Sequence, residues 1–324
     1  MEKVAIYILA MLCLASCSKE DVINPDFIGT GDSSDPFGMR YSQVEMGDDY
    51  RFQSFFDLGT NKTVSSNIKS TWDLALSCSE GKVLLNSAKN NMRAAESTNN
   101  WESTTTIDGL EFSWDAPTRH DDSLAIGLNL DPVYVIQRGE DYLGNDFGYR
   151  KVLITYNEDY YAVKMADLDG QNEVEMQVGL NEDFNFIFLS LDGLIEEIEP
   201  LKEDWDLSFS TYLYIFDPDT EPFPYLVNGC VINSNGVTAA RVFDKPFSEI
   251  SADDIDQANF SAFADAVGYD WKYFDFDLGY VTDPSMNYII QSTEGSYYKL
   301  HFTSFVNAEG LKGYPSFEFQ MIRE

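Results

Sequence analysis

The stretch Trp72-Asp73-Leu74-Ala75-Leu76 returns as Trp205-Asp206-Leu207-Ser208-Phe209, and this recurrence decides how the chain is read. A Trp followed by an Asp at the start of an alternating strand is expected to bury the indole while the carboxylate accepts backbone N–H groups from the preceding loop. Upstream of each copy lies an aromatic strand closed by a glycine turn, Tyr50 to Gly59 and Phe186 to Gly193. Downstream, Val133 to Gly139 is echoed by Asn287 to Gly295, and Tyr149 to Thr155 by Tyr297 to Thr303. Four blocks in the same order argue for an internal duplication. We therefore expect two tandem homologous antiparallel β-sandwich-like domains, residues 40–170 and 171–324, in an all-β protein with little helix.

Strand assignments follow from period-two alternation. Phe317, Phe319 and Met321 share one face, with Glu318 and Gln320 on the other, whereas Phe184 to Leu191 is apolar on both faces and suits a doubly covered strand. Asp108-Gly109, Asp169-Gly170, Asp192-Gly193 and Asn235-Gly236 read as hairpin turns. The best helix candidate starts near Ser251, with Asp253 and Asp254 in its first turn, and ends by Gly268.

The 324 residues contain 21 Lys plus Arg against 55 Asp plus Glu, a formal charge of −34. That balance excludes electrostatic binding of nucleic acid and side-chain docking on anionic lipid. Apolar residues at 44% and aromatics at 15% suffice for a sizeable core and favour strands.

At the N-terminus, Val4 to Leu14 is an apolar run of eleven residues, too short for the about 20 that a bilayer demands. It ends in Leu14-Ala15-Ser16-Cys17, which resembles the bacterial lipobox. This resemblance implies a signal peptide over 1–17, lipid on Cys17 and a flexible tether over 18–39. Ser18-Lys19-Glu20-Asp21 resembles the acidic tag that sends lipoproteins to the outer leaflet, so a lipid-anchored place on the outer membrane, exposed at the cell surface, is expected. Once Cys13 is removed and Cys17 acylated, Cys78 and Cys230 remain, leaving open a disulfide or two buried thiols. Cys78 is expected on one strand face with Trp72, Leu74 and Leu76.

No zinc spacing, G-x-S-x-G elbow or phosphate loop is present, and the Asp217 run lacks the Gly and Glu of an EF-hand. The chain is read as a non-enzyme without a metal site of its own. Its two histidines, His120 in an acidic loop and His301 on a strand, lie outside any metal motif.

Taken in order, Phe186 to Gly193, Trp205 to Phe209 and the closing segment Tyr297 to Phe319, with Asn307, Gly310, Lys312 and Gly313, resemble the HmuY family of surface haem-binding lipoproteins. The resemblance covers nearly all of the mature chain and is better in the second repeat. It implies an all-β scaffold that captures haem or a related tetrapyrrole and passes it to an outer-membrane, TonB-dependent receptor. In the family, haem is held between two axial His or Met side chains projecting from loops at one end of a sandwich. Here Trp271 to Asn287 is the stretch implied to supply a ligand, with Met286, Tyr273 and Tyr280 but no His. Met286, His120, His301 and Tyr280 are the haem-ligand candidates, and Lys272 is expected to offset the acidic field around a porphyrin's carboxylates. The alternative is a non-enzymatic surface module that uses exposed aromatics to hold a glycan or a protein partner.

Overall fold

The computed structural model describes residues 35–217 and 220–323. The lipobox, Cys17 and most of the tether lie outside the described residues. Among the described residues no helix is long and apolar enough to cross a membrane.

The first half of the chain carries β1 (Arg40–Gln43), β2 (Phe52–Asp57), β3 (Lys62–Ile68), β4 (Leu74–Ser77), β5 (Val83–Leu85) and β6 (Arg93–Ser97), then β7 (Val133–Gln137), β8 (Tyr149–Asn157) and β9 (Tyr160–Ala166). The second half carries β10 (Val174–Gly179), β11 (Phe186–Ser190), β12 (Leu194–Glu196), β13 (Leu207–Phe216), β14 (Phe223–Ile232) and β15 (Thr238–Phe243). It then adds a hairpin of β16 (Lys272–Asp275) and β17 (Gly279–Thr282), and closes with β18 (Met286–Gln291), β19 (Tyr297–Val306) and β20 (Lys312–Met321).

These strands form two five-stranded sheets, β1-β20-β19-β18-β15 and β10-β9-β8-β7-β6, and two four-stranded sheets, β14-β13-β2-β3 and β12-β11-β4-β5. The five-stranded orders match element for element, and so do the four-stranded ones. Strand pairing nevertheless crosses residue 170 repeatedly: β1 pairs with β20, β2 with β13 and β11 with β4. Two sandwich cores result. One is built from β2, β13 and β14 against β15, β18, β19 and β20; the other from β4, β5 and β11 against β6 to β10. Each repeat thus lends its opening strands to the sandwich of the other, and the second sandwich is nested within the chain of the first.

The Trp-Asp motif is the joint. Asp73 N donates to Leu189 O at 2.8 Å, and Leu191 N donates back to the Asp73 carboxylate at 2.7 Å. In the other repeat Asp206 N donates to Phe56 O at 2.9 Å, and Leu58 N donates to the Asp206 carboxylate at 2.9 Å. The carboxylates therefore bind the partner repeat's aromatic strand and not the preceding loop. The indoles follow the same rule: Trp72 meets Phe188 edge-on at 4.8 Å and Trp205 meets Phe55 edge-on at 4.9 Å. Both pairs lie in a third apolar cluster where the two four-stranded sheets face each other. Trp72 consequently parts company with Leu74 and Leu76, which point into the nested sandwich.

Several local expectations change in tertiary context. Asp169-Gly170 joins β9 to β10 and Asp192-Gly193 joins β11 to β12, each with its glycine at positive φ. Asn235-Gly236 instead carries the chain from β14 into another sheet, and Asp108-Gly109 lies in the long connection before β7. The helix expected from Ser251 to Gly268 is a single turn, Ala252–Ile255, closed by a Ser251/Asp254 capping box. Asp256 sits at its C-terminus, where the helix dipole disfavours negative charge, and Ser261 is claimed by a bridge to Ala239. Cys78 and Cys230 are free buried thiols.

Candidate functional site

The β16–β17 hairpin supplies the most exposed apolar surface. Asp275 Oδ1 accepts the N–H groups of Asp277 and Leu278 at 2.8 and 2.9 Å, and Gly279 turns with φ 81°. This Asx turn closes the hairpin away from the body of the sandwich. Phe276 is accordingly 96% exposed and Leu278 78%, with Tyr273 and Phe274 also exposed.

The tip is continuous with the core through aromatic contacts. Trp271 stacks on Phe302 at 3.9 Å and meets Phe305 at 5.8 Å. Phe305 meets Tyr280 at 4.8 Å, Tyr280 meets Phe274 at 5.2 Å, and Phe274 meets Phe276 at 5.8 Å. Beside this ladder the hydroxyls of Tyr50 and Tyr280 lie 3.3 Å apart. Burial and the neighbouring Tyr280 push the Tyr50 phenol well above its ordinary pKa. Exposed Lys312 places Nζ 4.6 Å over the Tyr50 ring. The end of the β13–β14 hairpin adds exposed Phe223 and Tyr225, the latter near enough to Tyr50 to influence its proton.

The candidate ligands do not converge. Met286 is 7% exposed in the core of its sandwich, and its sulfur accepts from the Tyr288 hydroxyl at 2.9 Å. His301 lies opposite Asn287 in the sheet, with Nδ1 2.8 Å from Asn287 Oδ1. His120 is in the nested sandwich, on a loop, where its Nδ1 caps a 3-10 turn and its ring meets Phe263. Of the four, Tyr280 alone adjoins the exposed aromatic tip. A clamp of two axial side chains is therefore not assembled from these residues, while a one-sided aromatic platform with a tyrosine pair is. Lys272 does not face the outside: Nζ donates to Asn228 O and Tyr269 O, and burial lowers its pKa to about 7. Lys312, in contrast, is exposed beside the Tyr50 ring. Among the described residues no group of His, Cys, Asp and Glu is arranged to hold a metal ion.

Sequence reading did not single out Phe274, Phe276 and Leu278. Their signal lay in Phe274-Asp275-Phe276-Asp277-Leu278, where apolar/polar alternation marks a strand but does not say whether its apolar face is covered.

The family model described as HmuY protein matches residues 49–319, and the chain belongs to the HmuY family. Among solved structures it is similar to apo PinO of Porphyromonas gingivitis, at 8% identity and TM-score 0.30 over 88% of this chain and 97% of that one. The apo HmuY analogue TFO of Tannerella forsythia aligns at 10% identity and TM-score 0.26, over 88% and 96% of the two chains. A HmuY-like haem-binding protein of Bacteroides vulgatus aligns at 15% identity and TM-score 0.20, over 54% and 93%. No curated protein matches the sequence.

Proposed function

We propose that this chain is a cell-surface lipoprotein, anchored to the outer membrane through Cys17, that binds haem or a related tetrapyrrole for transfer to a TonB-dependent receptor. Membership of the HmuY family supports the ligand class. The observation that carries the reading is the ladder of rings from buried Trp271 to the nearly bare Phe276. A flat apolar macrocycle gains both area burial and ring–ring contact on such a surface. Phe274 and Phe276 offer the platform, Tyr280 is the oxygen donor beside it, and Lys312 is the cation suited to a propionate. With bulk charge −34, that local cation matters for any anionic ligand.

Titration of the purified protein with haemin is expected to give a saturable, one-to-one Soret change. Phe276→Ala should weaken it about tenfold, Tyr280→Phe should alter the band shape, and Met286→Ala should leave both nearly unchanged. A featureless titration would remove the tetrapyrrole reading.

A second reading uses the same aromatic end to hold a glycan or a protein partner. It is favoured by the inward orientation of Met286 and the separation of His120 from His301. Binding on a glycan array that is abolished by Phe276→Ala, with no haemin response, would select it.

A further inference from the structure

Tyr50 turns the chain with φ 57°. Residues with a bulky side chain rarely take this left-handed conformation, because Cβ crowds the following carbonyl. The other non-glycine residues that adopt it among the described ones are Asn61, Asn91, Asn172, Asp217 and Asp244, whose short polar side chains tolerate it, and Arg119. A glycine would make the same turn without steric cost, so the turn alone gives no reason for a phenol at this place.

The loop is gripped from both ends. Tyr50 N donates to Gly47 O and Phe52 N to Met46 O, both at 3.0 Å, and Met46 N donates to Gly313 O at 2.8 Å. Gly313 lies so close to Gly47 that a Cβ on it would overlap Gly47 O. Held in this way, the half-buried Tyr50 ring stacks on Phe305 at 6.1 Å, and its hydroxyl reaches that of Tyr280 at 3.3 Å. Burial keeps the proton on Tyr50, so its hydroxyl is available as a donor to the Tyr280 oxygen.

Tyr280 needs such a hold. β16 and β17 pair only with each other, outside both sandwich sheets, and a lone two-stranded hairpin has little stability of its own. The start of β16 is moored by Trp271 on Phe302 and by Lys272 Nζ on Asn228 O and Tyr269 O. β17 has the Tyr280 ring against Phe305 and, among the described residues, one hydrogen bond to the sandwich, the one between Tyr280 and Tyr50. Backbone strain spent where a hairpin meets the body of the protein marks preorganisation of a site.

We propose that Tyr50 is the positioning residue of the aromatic platform: its hydroxyl, delivered from a left-handed turn, fixes where the Tyr280 oxygen stands beside Phe274. For the ligand this rests on the tetrapyrrole reading, whereas the hold on Tyr280 is a property of the ligand-free protein.

The test uses the whole mature chain, first without ligand. Tyr50→Phe removes one oxygen and keeps the ring stack, so the thermal midpoint should stay essentially unchanged. In protein carrying carbon-13-labelled tyrosine, the Tyr280 ring resonances should shift and broaden in this variant. Gly313→Ala, which pushes the same loop while both phenols remain, should displace the same resonances. Haemin is then added: Tyr50→Phe should weaken binding several-fold and alter the Soret band in the sense of Tyr280→Phe. The double variant should be no worse than Tyr280→Phe alone, because a residue that acts through another adds nothing once the other is gone. Unmoved Tyr280 resonances in ligand-free Tyr50→Phe overturn the proposal whatever haemin does, and so do additive losses in the haemin titration. A featureless haemin titration with displaced Tyr280 resonances removes the tetrapyrrole and upholds the hold of Tyr50 on Tyr280.

Discussion

Asp73 and Asp206 occupy equivalent places and solve burial differently. Asp73 is paired with Lys89 at 2.7 Å and Arg138 at 2.9 Å, and Arg138 also forks onto Asp192. Among the described residues Asp206 meets no cation; it accepts from Leu58 N, Thr293 N and the Thr293 hydroxyl, and desolvation raises its pKa. Removing one partner of a buried ion pair strands the other charges, at a cost of about 3–5 kcal/mol. Asp73→Asn should therefore destabilise by about that much in urea denaturation. Asp206→Asn keeps a neutral acceptor in a site that already disfavours charge, and should cost about 1 kcal/mol or less. The Trp-Asp pairs were recognisable as scaffold from sequence, because the dipeptide itself dictates burial of one side chain and hydrogen bonding by the other. Their cationic partners were not, since Lys89 and Arg138 lie far along the chain and only tertiary packing brings them in.

At the level of elements, β11 is held at its start by a carboxylate. Glu199 accepts from Phe186 N, the first strand residue, and from the Asn185 backbone and side chain. Burial raises its pKa from 4.5 to about 7. The folded state then holds this proton more tightly than the unfolded chain, so its contribution is fullest below about pH 4.5 and is lost as pH rises toward 7. Asp115, raised from 3.8 to about 6, acts in the same sense. Denaturation midpoints measured from pH 4.5 to 7.5 should fall along this limb, and Glu199→Gln should flatten it. Strands such as β20 were legible because alternation is local: Phe317 and Phe319 are buried while Glu318 and Gln320 stay half-exposed. The helix was overstated because capping chemistry at Ser251 marks a start but says nothing of how far the turn continues.

For the whole molecule, exchange of opening strands between repeats makes each half incomplete. A fragment of residues 40–170 lacks β11 beside β4, and one of 171–324 lacks β2 beside β13 and β1 beside β20. Each would expose the aromatic cluster of Trp72, Phe188, Phe55 and Trp205. Expressed singly, both fragments should show disordered circular dichroism or aggregate. Mixed from denaturant, they should recover a one-to-one folded complex by size-exclusion chromatography; independent folding of either would contradict the interlocked architecture.

The amino-acid sequence by itself determined the strands, the duplicated motif and two of the hairpin turns, because side-chain period and turn chemistry act over a few residues. Tertiary structure decided which repeat completes which sheet, that Met286 faces inward, and that Phe276 stands in solvent beside Tyr280. The first of those outcomes depends on pairing between segments more than 100 residues apart, where apolar strands of similar pattern compete and only the complete packed core distinguishes them; the other two depend on which face of the finished sheets each side chain meets.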